Sequence, residues 1–191
     1  MIGWDFHFGK GRSGSPAFLK EAGERYGFRV DIINKVEGAG AEAVSSTAIR
    51  RALEAGDVEA AALLLGRDYA VEGIVIPGAK LGRALGVPTA NVTLEAANRL
   101  AHGVYAVEVT IDGARYGGVA SFGTRPTVDA DGAPLLETHL FDFSGDLYGR
   151  TIEVAFVKRI RDELKFDGLE PLIAEMERDK ARAREILAEH R

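Results

Sequence analysis

A basic, glycine-rich stretch that ends in a proline is the part of the sequence best suited to chemistry. Residues 78–91 read GAKLGRALGVPTAN, and Lys80, Arg83 and the glycines could bring positive charge and backbone N–H groups to the phosphates of a ligand. Thr89 and Asn91 could present a hydroxyl and an amide oxygen, which are hard ligands suited to Mg²⁺ held mainly by nucleotide phosphates. The stretch has no Walker A pattern, and its spacing alone favours a plain glycine-rich turn.

A glutamate in an apolar segment is the second candidate. The segment LLETHLFDF spans residues 135–143, and the two-residue repeat of a β-strand places Glu137, His139, Phe141 and Phe143 on one face. Such a carboxylate is either a charge on an edge strand or the base that accepts a proton from an attacking alcohol. The pattern by itself favours the edge charge, and a lone histidine is more often packed than a ligand.

Two further clusters stand at the ends of predicted elements. The segment RDELKF at 161–166 follows a predicted strand, and it could hold a planar heterocycle or form a polar turn that buries Phe166. Hydroxyl groups and an arginine at the start of a helix can bind an anion, although an ordinary N-cap is the commoner case. The sequence has such a set at the start of a predicted helix: Ser45, Ser46, Thr47 and Arg50.

These candidate residues lie in two parts of the chain whose predicted secondary structure differs. Residues 1–66 contain predicted helices at 16–27, 45–54 and 58–65 and a short strand at 28–36, which indicates mixed α/β structure. From residue 67 onward, short alternating segments follow one another without helices, which predicts an antiparallel barrel or sandwich. These segments are 69–76, 103–111, 115–122, 135–143 and 151–160, with Asp112-Gly113 as a hairpin turn.

The last part of the chain has the spacing of a helix with one apolar face. This predicts that the helix at 169–191 packs one side on the barrel. The apolar positions are Leu169, Leu172, Ile173, Met176, Ala183 and Leu187.

Composition excludes several classes of function. The 29 acidic and 24 basic residues give a net charge of -5, so the chain has no general attraction to nucleic acid or to anionic membranes. The sequence has no cysteine, which excludes disulfides, thiolate metal sites and cysteine nucleophiles and fits a reducing cytoplasm. No apolar run reaches about 18 residues, so we expect no membrane span. We expect a cytoplasmic protein that acts on small molecules, and the sequence leaves a homo-oligomer open.

Taken together, these segments resemble the bacterial bifunctional riboflavin kinase/FMN adenylyltransferase (FAD synthetase) family. The resemblance covers residues 67–191, a whole riboflavin kinase module. It implies an α+β fold with a six-stranded antiparallel β-barrel and a C-terminal helix. The matching segments are GRDYAVEGIVIPGAKLGRALGVPTAN, GVYAV, GVASFGTRPT, LETHLFDFSGDLYG and IRDELKF.

The resemblance implies an ATP site. The family binds Mg²⁺ and the ATP phosphates at the positions of Thr89 and Asn91. Its phosphate-covering loop falls at Gly78, Lys80 and Arg83. Further contacts to ATP fall at Leu140, Asp142 and Tyr148.

The resemblance also implies riboflavin as the phosphate acceptor. Glu137 matches the catalytic base that activates the ribityl 5′-hydroxyl. The family holds the flavin at Arg161, Glu163 and Phe166. The expected activity is therefore Mg²⁺- and ATP-dependent phosphorylation of riboflavin to FMN. The alternative is a non-catalytic β-barrel that only binds a flavin or a nucleotide.

Residues 1–66 resemble the end of the family's Rossmann-like adenylyltransferase module. The segments GWDFHFG at 3–9 and VSSTAIR at 44–50 carry this resemblance, so the hydroxyls around Ser45 would be a remnant of its nucleotide site. The family's HxGH motif does not occur in this sequence. We therefore expect that the chain begins inside the adenylyltransferase module and does not convert FMN to FAD.

Overall fold

The computed structural model of this chain describes residues 1–34, 45–78, 89–94, 98–124 and 134–190, which form strands and helices in similar proportion. The strands are β1 (Ile2–Gly3), β2 (Ile32–Ile33), β3 (Tyr69–Ile76), β4 (Ala90–Thr93), β5 (Gly103–Ile111), β6 (Ala114–Thr124), β7 (Pro134–Leu140) and β8 (Thr151–Arg161). The α-helices are α1 (Pro16–Tyr26), α2 (Ser46–Ala55), α3 (Val58–Leu65) and α4 (Leu169–Glu189). The chain divides into two units, Met1–Ser45 and Ser46–Arg191.

The first unit is a small α/β arrangement. Strands β1 and β2 pair in parallel, and α1 connects them. Helix α1 begins after Ser15, whose Oγ accepts a hydrogen bond from the N–H of Phe18, and it ends at Gly27 in the left-handed conformation. The predicted helix is confirmed. Within its described part, the predicted strand at 28–36 contributes only Ile32 and Ile33 to a sheet.

The second unit contains the predicted barrel. Its strand order is β3-β4-β7-β6-β5-β8, and β8 pairs with β3 to close the ring, with every pair antiparallel. Large side chains fill the interior, among them the fully buried Tyr105, Phe122 and Phe156. Strands β5 and β6 form a hairpin, because Asp112 and Gly113 both adopt the positive φ that a two-residue type I′ turn requires.

Strand β7 ends three residues earlier than the sequence predicts. It stops at Leu140, and Asp142 adopts a positive φ of 56° that redirects the chain. Phe141 then packs beside α4, whereas Phe143 packs edge-on against Tyr116 at the barrel core. The prediction that Phe143 extends the outward face of Glu137 was therefore wrong, whereas Phe141 lies on the outside of the barrel, with its ring 5.9 Å from that of His139.

Helix α4 packs on the outside of the barrel through its second half. Ala183, Ile186 and Leu187 are buried in one cluster with barrel residues. Leu169 and Ile173 are exposed, so the predicted apolar face makes contact over only part of its length. Among the described residues, no helix has the length and apolar character needed to cross a membrane.

The two short helices before β3 pack on the barrel. Leu53 of α2 and Val58 and Ala61 of α3 belong to the same buried cluster as the barrel interior. The N–H of Ala101 also donates to the carbonyl oxygen of Leu53 at 2.9 Å. The unit that contains the barrel therefore begins at Ser46, and the module boundary after residue 66 stays a prediction.

Candidate active site

Three polar side chains form a row across neighbouring strands. Asn91 on β4 lies directly opposite Glu137 on β7, and Glu137 lies directly opposite Ser121 on β6. The neighbours of Glu137 along β7, Leu136 and Thr138, are fully buried in the barrel, so Glu137 points outward. Directly opposed residues have Cβ atoms about 5 Å apart, which brings these three groups within reach of one ligand.

Asn91 has a buried amide oxygen with no hydrogen-bond partner among the described residues. Its side chain is only 4% exposed, and its Nδ2 donates to the backbone oxygen of Thr89 at 3.3 Å. The backbone of Gly78 lies so close to this amide that a Cβ at residue 78 would overlap it. A buried polar atom without a partner is rare in proteins, so this oxygen is a candidate to accept a ligand.

This arrangement fits a divalent cation. The Asn91 amide oxygen and the nearby Thr89 are hard oxygen donors, which Mg²⁺ prefers, and the unpartnered Oδ1 could accept the ion. In the ranges that the structure describes, no group of three or more histidine, cysteine, aspartate or glutamate side chains could hold a metal. Ligand phosphates and water could complete the coordination of an ion at Asn91.

A depression on the barrel surface lies beside Glu137. It is lined by Ser121, Gly123, Thr124, Leu135, Glu137 and Glu163. Glu163 comes from the segment after β8, and its carboxylate rests so closely on Gly123 that a Cβ there would overlap it. The structure thus brings together Glu137 and Glu163, two residues that the sequence analysis placed in different clusters.

The last residue of β8, Arg161, is fixed to α4. The Arg161 guanidinium donates two hydrogen bonds to the carboxylate of Asp179, at 2.9 and 2.6 Å, and a third to the backbone oxygen of Asp162. Asp179 is 5% exposed, and Glu175 lies 3.7 Å from Arg161. Arg161 therefore has a structural partner, and its predicted contact with a flavin stays a prediction, as does that of the half-buried Phe166.

Sequence analysis missed Asp179. The residue stands between Met176 and Ala183 in the apolar spacing of α4, where an apolar side chain is expected. That interruption is the signal from which a buried ion pair could have been predicted. The partner of the aspartate could not be derived from sequence spacing.

The predicted ATP contacts after Glu137 lie at the end of β7 and in the following loop. Leu140 faces the barrel core, so only its backbone is available to a ligand. Asp142 accepts hydrogen bonds from Arg184 of α4 at 3.0 and 3.2 Å, and these bonds and the positive charge lower its pKa. Tyr148 is exposed, and its N–H donates to Asp146. The ATP contacts of these residues remain predictions.

The remaining predicted site residues lie elsewhere. Lys80 and Arg83 fall outside the described residues. The hydroxyl cluster lies at the start of α2, as predicted. Ser46, Thr47 and Arg50 are exposed in the first turns of that helix. Ser45 directly precedes that helix and is also exposed.

Comparison with known proteins identifies the class. The riboflavin kinase family matches residues 65–187, and the FAD synthetase family matches residues 1–48. Together with the closed barrel and its C-terminal helix, this shows that the chain belongs to the riboflavin kinase family.

Relatives extend the similarity over nearly the whole chain. The bifunctional riboflavin kinase/FMN adenylyltransferase of Pseudomonas fluorescens is 47% identical over 187 residues, which are 98% of this chain and 60% of the relative. The protein of the same description from Escherichia coli (strain K12) is 45% identical over 97% of this chain and 59% of its own length. The chain thus spans about 60% of the length of these relatives. They confirm the family resemblance drawn from the sequence.

A solved structure has the same fold. A crystal structure from Streptococcus pneumoniae described as a macrolide-efflux protein superposes with a TM-score of 0.78 at 36% identity. The similarity covers 96% of this chain and 60% of that one.

Proposed function

We propose that this chain is a riboflavin kinase that transfers the γ-phosphoryl group of ATP to the 5′-hydroxyl of riboflavin, giving FMN and ADP. The observation that carries the proposal is the direct pairing of Glu137 with Asn91 beside the depression that Glu163 lines. A carboxylate next to an unpartnered buried amide oxygen supplies a proton acceptor and a cation ligand at one place. Membership in the riboflavin kinase family supports the same assignment.

Glu137 would act as the general base. Its carboxylate accepts the proton of the 5′-hydroxyl while that oxygen bonds to the γ-phosphorus and the bond to the bridging oxygen of ADP breaks. Phosphoryl transfer demands little covalent chemistry from the protein, so holding the hydroxyl in line with the γ-phosphate is the main contribution of the site.

Thr89 and Asn91 would hold a divalent ion, which we propose to be Mg²⁺. When bound, this ion supplies neutralisation of charge on the phosphates. Residues of the glycine-rich stretch would cover the phosphates, and the loop after β7 would contact the rest of ATP. The segment 161–166, which carries Glu163, would hold the flavin. Riboflavin and ATP are thus the proposed partners, and the cytoplasm is the proposed site of action.

A single assay tests the activity and its limits. The purified chain is incubated with riboflavin, ATP and Mg²⁺, and flavins are separated by chromatography. We expect FMN to form and FAD not to form, since the sequence has no HxGH motif for the adenylyl transfer step. Riboflavin binding without FMN would favour the non-catalytic barrel. FAD formed from FMN would show that other residues of this chain replace the motif.

Replacement of Asn91 by alanine tests the metal assignment. We expect Mg·ATP to bind about tenfold more weakly, because a ligand to a charged group is lost, while riboflavin affinity changes little. Each ligand is titrated separately. Thr93→Ala is the matched control, because Thr93 is exposed two residues further along the same face of β4. Equal weakening of both ligands, or of neither, would contradict the assignment.

A further inference from the structure

Arg159 binds two segments that meet at Glu163. Its Nη2 donates to the backbone oxygen of His102 and to Oδ1 of Asp162, each at 2.5 Å. Asp162 directly precedes Glu163 in the chain, and the ring of His102 approaches the Glu163 carboxylate to 3.8 Å. Both acceptors share one nitrogen, so the position of Nη2 affects the two segments together.

The position of Arg159 is set by backbone that packs against it. A Cβ on Gly56 would lie 2.6 Å from Cδ of Arg159, and a Cβ on Gly103 would lie 2.9 Å from its Nε. Tyr105 also contacts Arg159. Burial raises the pKa of Tyr105, and the charge of Arg159 and its hydrogen bond with Tyr105 partly offset that rise. The stem of Arg159 thus has little room to move.

Gly56 belongs to an element that does not line the depression. It follows the last residue of α2 and turns the chain into α3 with a φ of +77°. Its contact with Arg159 links the turn between these helices to the segment that carries Glu163.

We propose that Arg159 is a positioning residue for the flavin side of the site, and that Gly56 sets where Arg159 lies. Arg159 fixes Asp162, and through it the segment 162–166, so that Glu163 faces Glu137 across the depression. The inference rests on the proposed function, because it takes that segment as the flavin-holding one. It makes the α2–α3 turn a determinant of riboflavin affinity although that turn touches no substrate.

A matched pair of glycine variants tests this proposal. Gly66 ends α3 with a φ of +71°, and a Cβ there would meet no atom within 4 Å. Gly56→Ala and Gly66→Ala therefore share the same backbone strain, but only the first displaces Arg159. We expect the KM for riboflavin to rise about tenfold in Gly56→Ala, with the KM for Mg·ATP unchanged. Gly66→Ala should change neither value.

A measurement without substrates separates this inference from the proposed activity. Amide hydrogen exchange of residues 160–168 should be faster in Gly56→Ala than in Gly66→Ala and the unchanged chain. If the unchanged chain makes no FMN, the proposed activity fails, while the exchange data still decide whether Arg159 fixes this segment. Equal exchange in the two variants, or an equal rise in both KM values for Gly56→Ala, would overturn the proposal.

A second variant covers the case in which Gly56→Ala does not fold. Arg159→Lys keeps the charge and most of the stem, but its ammonium lies one bond nearer the backbone than Nη2 and does not reach both acceptors. It should show the same faster exchange at 160–168 and the same selective rise in the KM for riboflavin. Exchange and riboflavin KM values equal to those of the unchanged chain would overturn the proposal.

Discussion

Replacing Glu137 with glutamine is expected to lower the rate of FMN formation by about 10²–10⁴-fold, the range that a general base contributes. The amide has nearly the shape of the carboxylate, so its pairing with Asn91 and Ser121 on the neighbouring strands is kept. It cannot accept the proton of the 5′-hydroxyl. Affinity for ATP should therefore be retained while kcat is lost.

The rate and the affinity are measured separately, by FMN chromatography and by ATP titration. Glu153→Gln is the matched control, because Glu153 is an exposed glutamate on β8, opposite Glu72 on β3, and does not line the depression. It should turn over at the rate of the unchanged chain. If Glu137→Gln also kept that rate, Glu137 would not be the base.

Asp179→Asn is expected to destabilise the Ser46–Arg191 unit by about 3 kcal/mol, as is typical when one partner of a buried ion pair is removed. The carboxylate receives two hydrogen bonds from Arg161, and both side chains are largely shielded from solvent. Asparagine preserves the volume but leaves the guanidinium with only the more distant Glu175 carboxylate, 3.7 Å away, as its partner. The effect should appear in the free energy of unfolding.

The measurement must report on the barrel. The only tryptophan, Trp4, lies in the Met1–Ser45 unit, so the barrel has no tryptophan of its own to report on it. Denaturant dependence of amide exchange in the barrel strands gives the free energy directly. Glu185→Gln removes the exposed partner of Arg182 on the same helix, and it should change stability by less than about 0.5 kcal/mol. A loss for Asp179→Asn as small as that of the control would contradict the prediction.

The barrel could be predicted because its signals are local. The bounds of β3 and β5 match the alternating segments in the sequence, and the turn at Asp112-Gly113 is fixed by two adjacent residues. Strand β4 was missed because it has only four residues and comes just after a stretch of the sequence rich in glycine that contains Pro88. The early end of β7 was missed because a non-glycine residue, Asp142, takes the left-handed conformation there.

The sequence indicated individual residues of the site but not how they are arranged. The family resemblance pointed to Asn91 and Glu137, but their direct pairing depends on the register of β4 against β7, strands separated by β5 and β6 in the chain. Local spacing carries no information about such a pairing. The same holds for Arg159, whose partners His102 and Gly56 come from other elements.

The closure of the barrel by β8 determines when during synthesis the unit can become stable. Strand β8 pairs with β3 on one side and with β5 on the other, so Tyr69 meets Phe156 only after most of the unit has been made. A nascent chain that has not yet reached Thr151 exposes the edges of both β3 and β5, which can pair with other chains. Pairing of strands so distant in sequence is slow. Pairing of β8 with β3 and β5 is therefore a late step, and it removes both exposed edges at once.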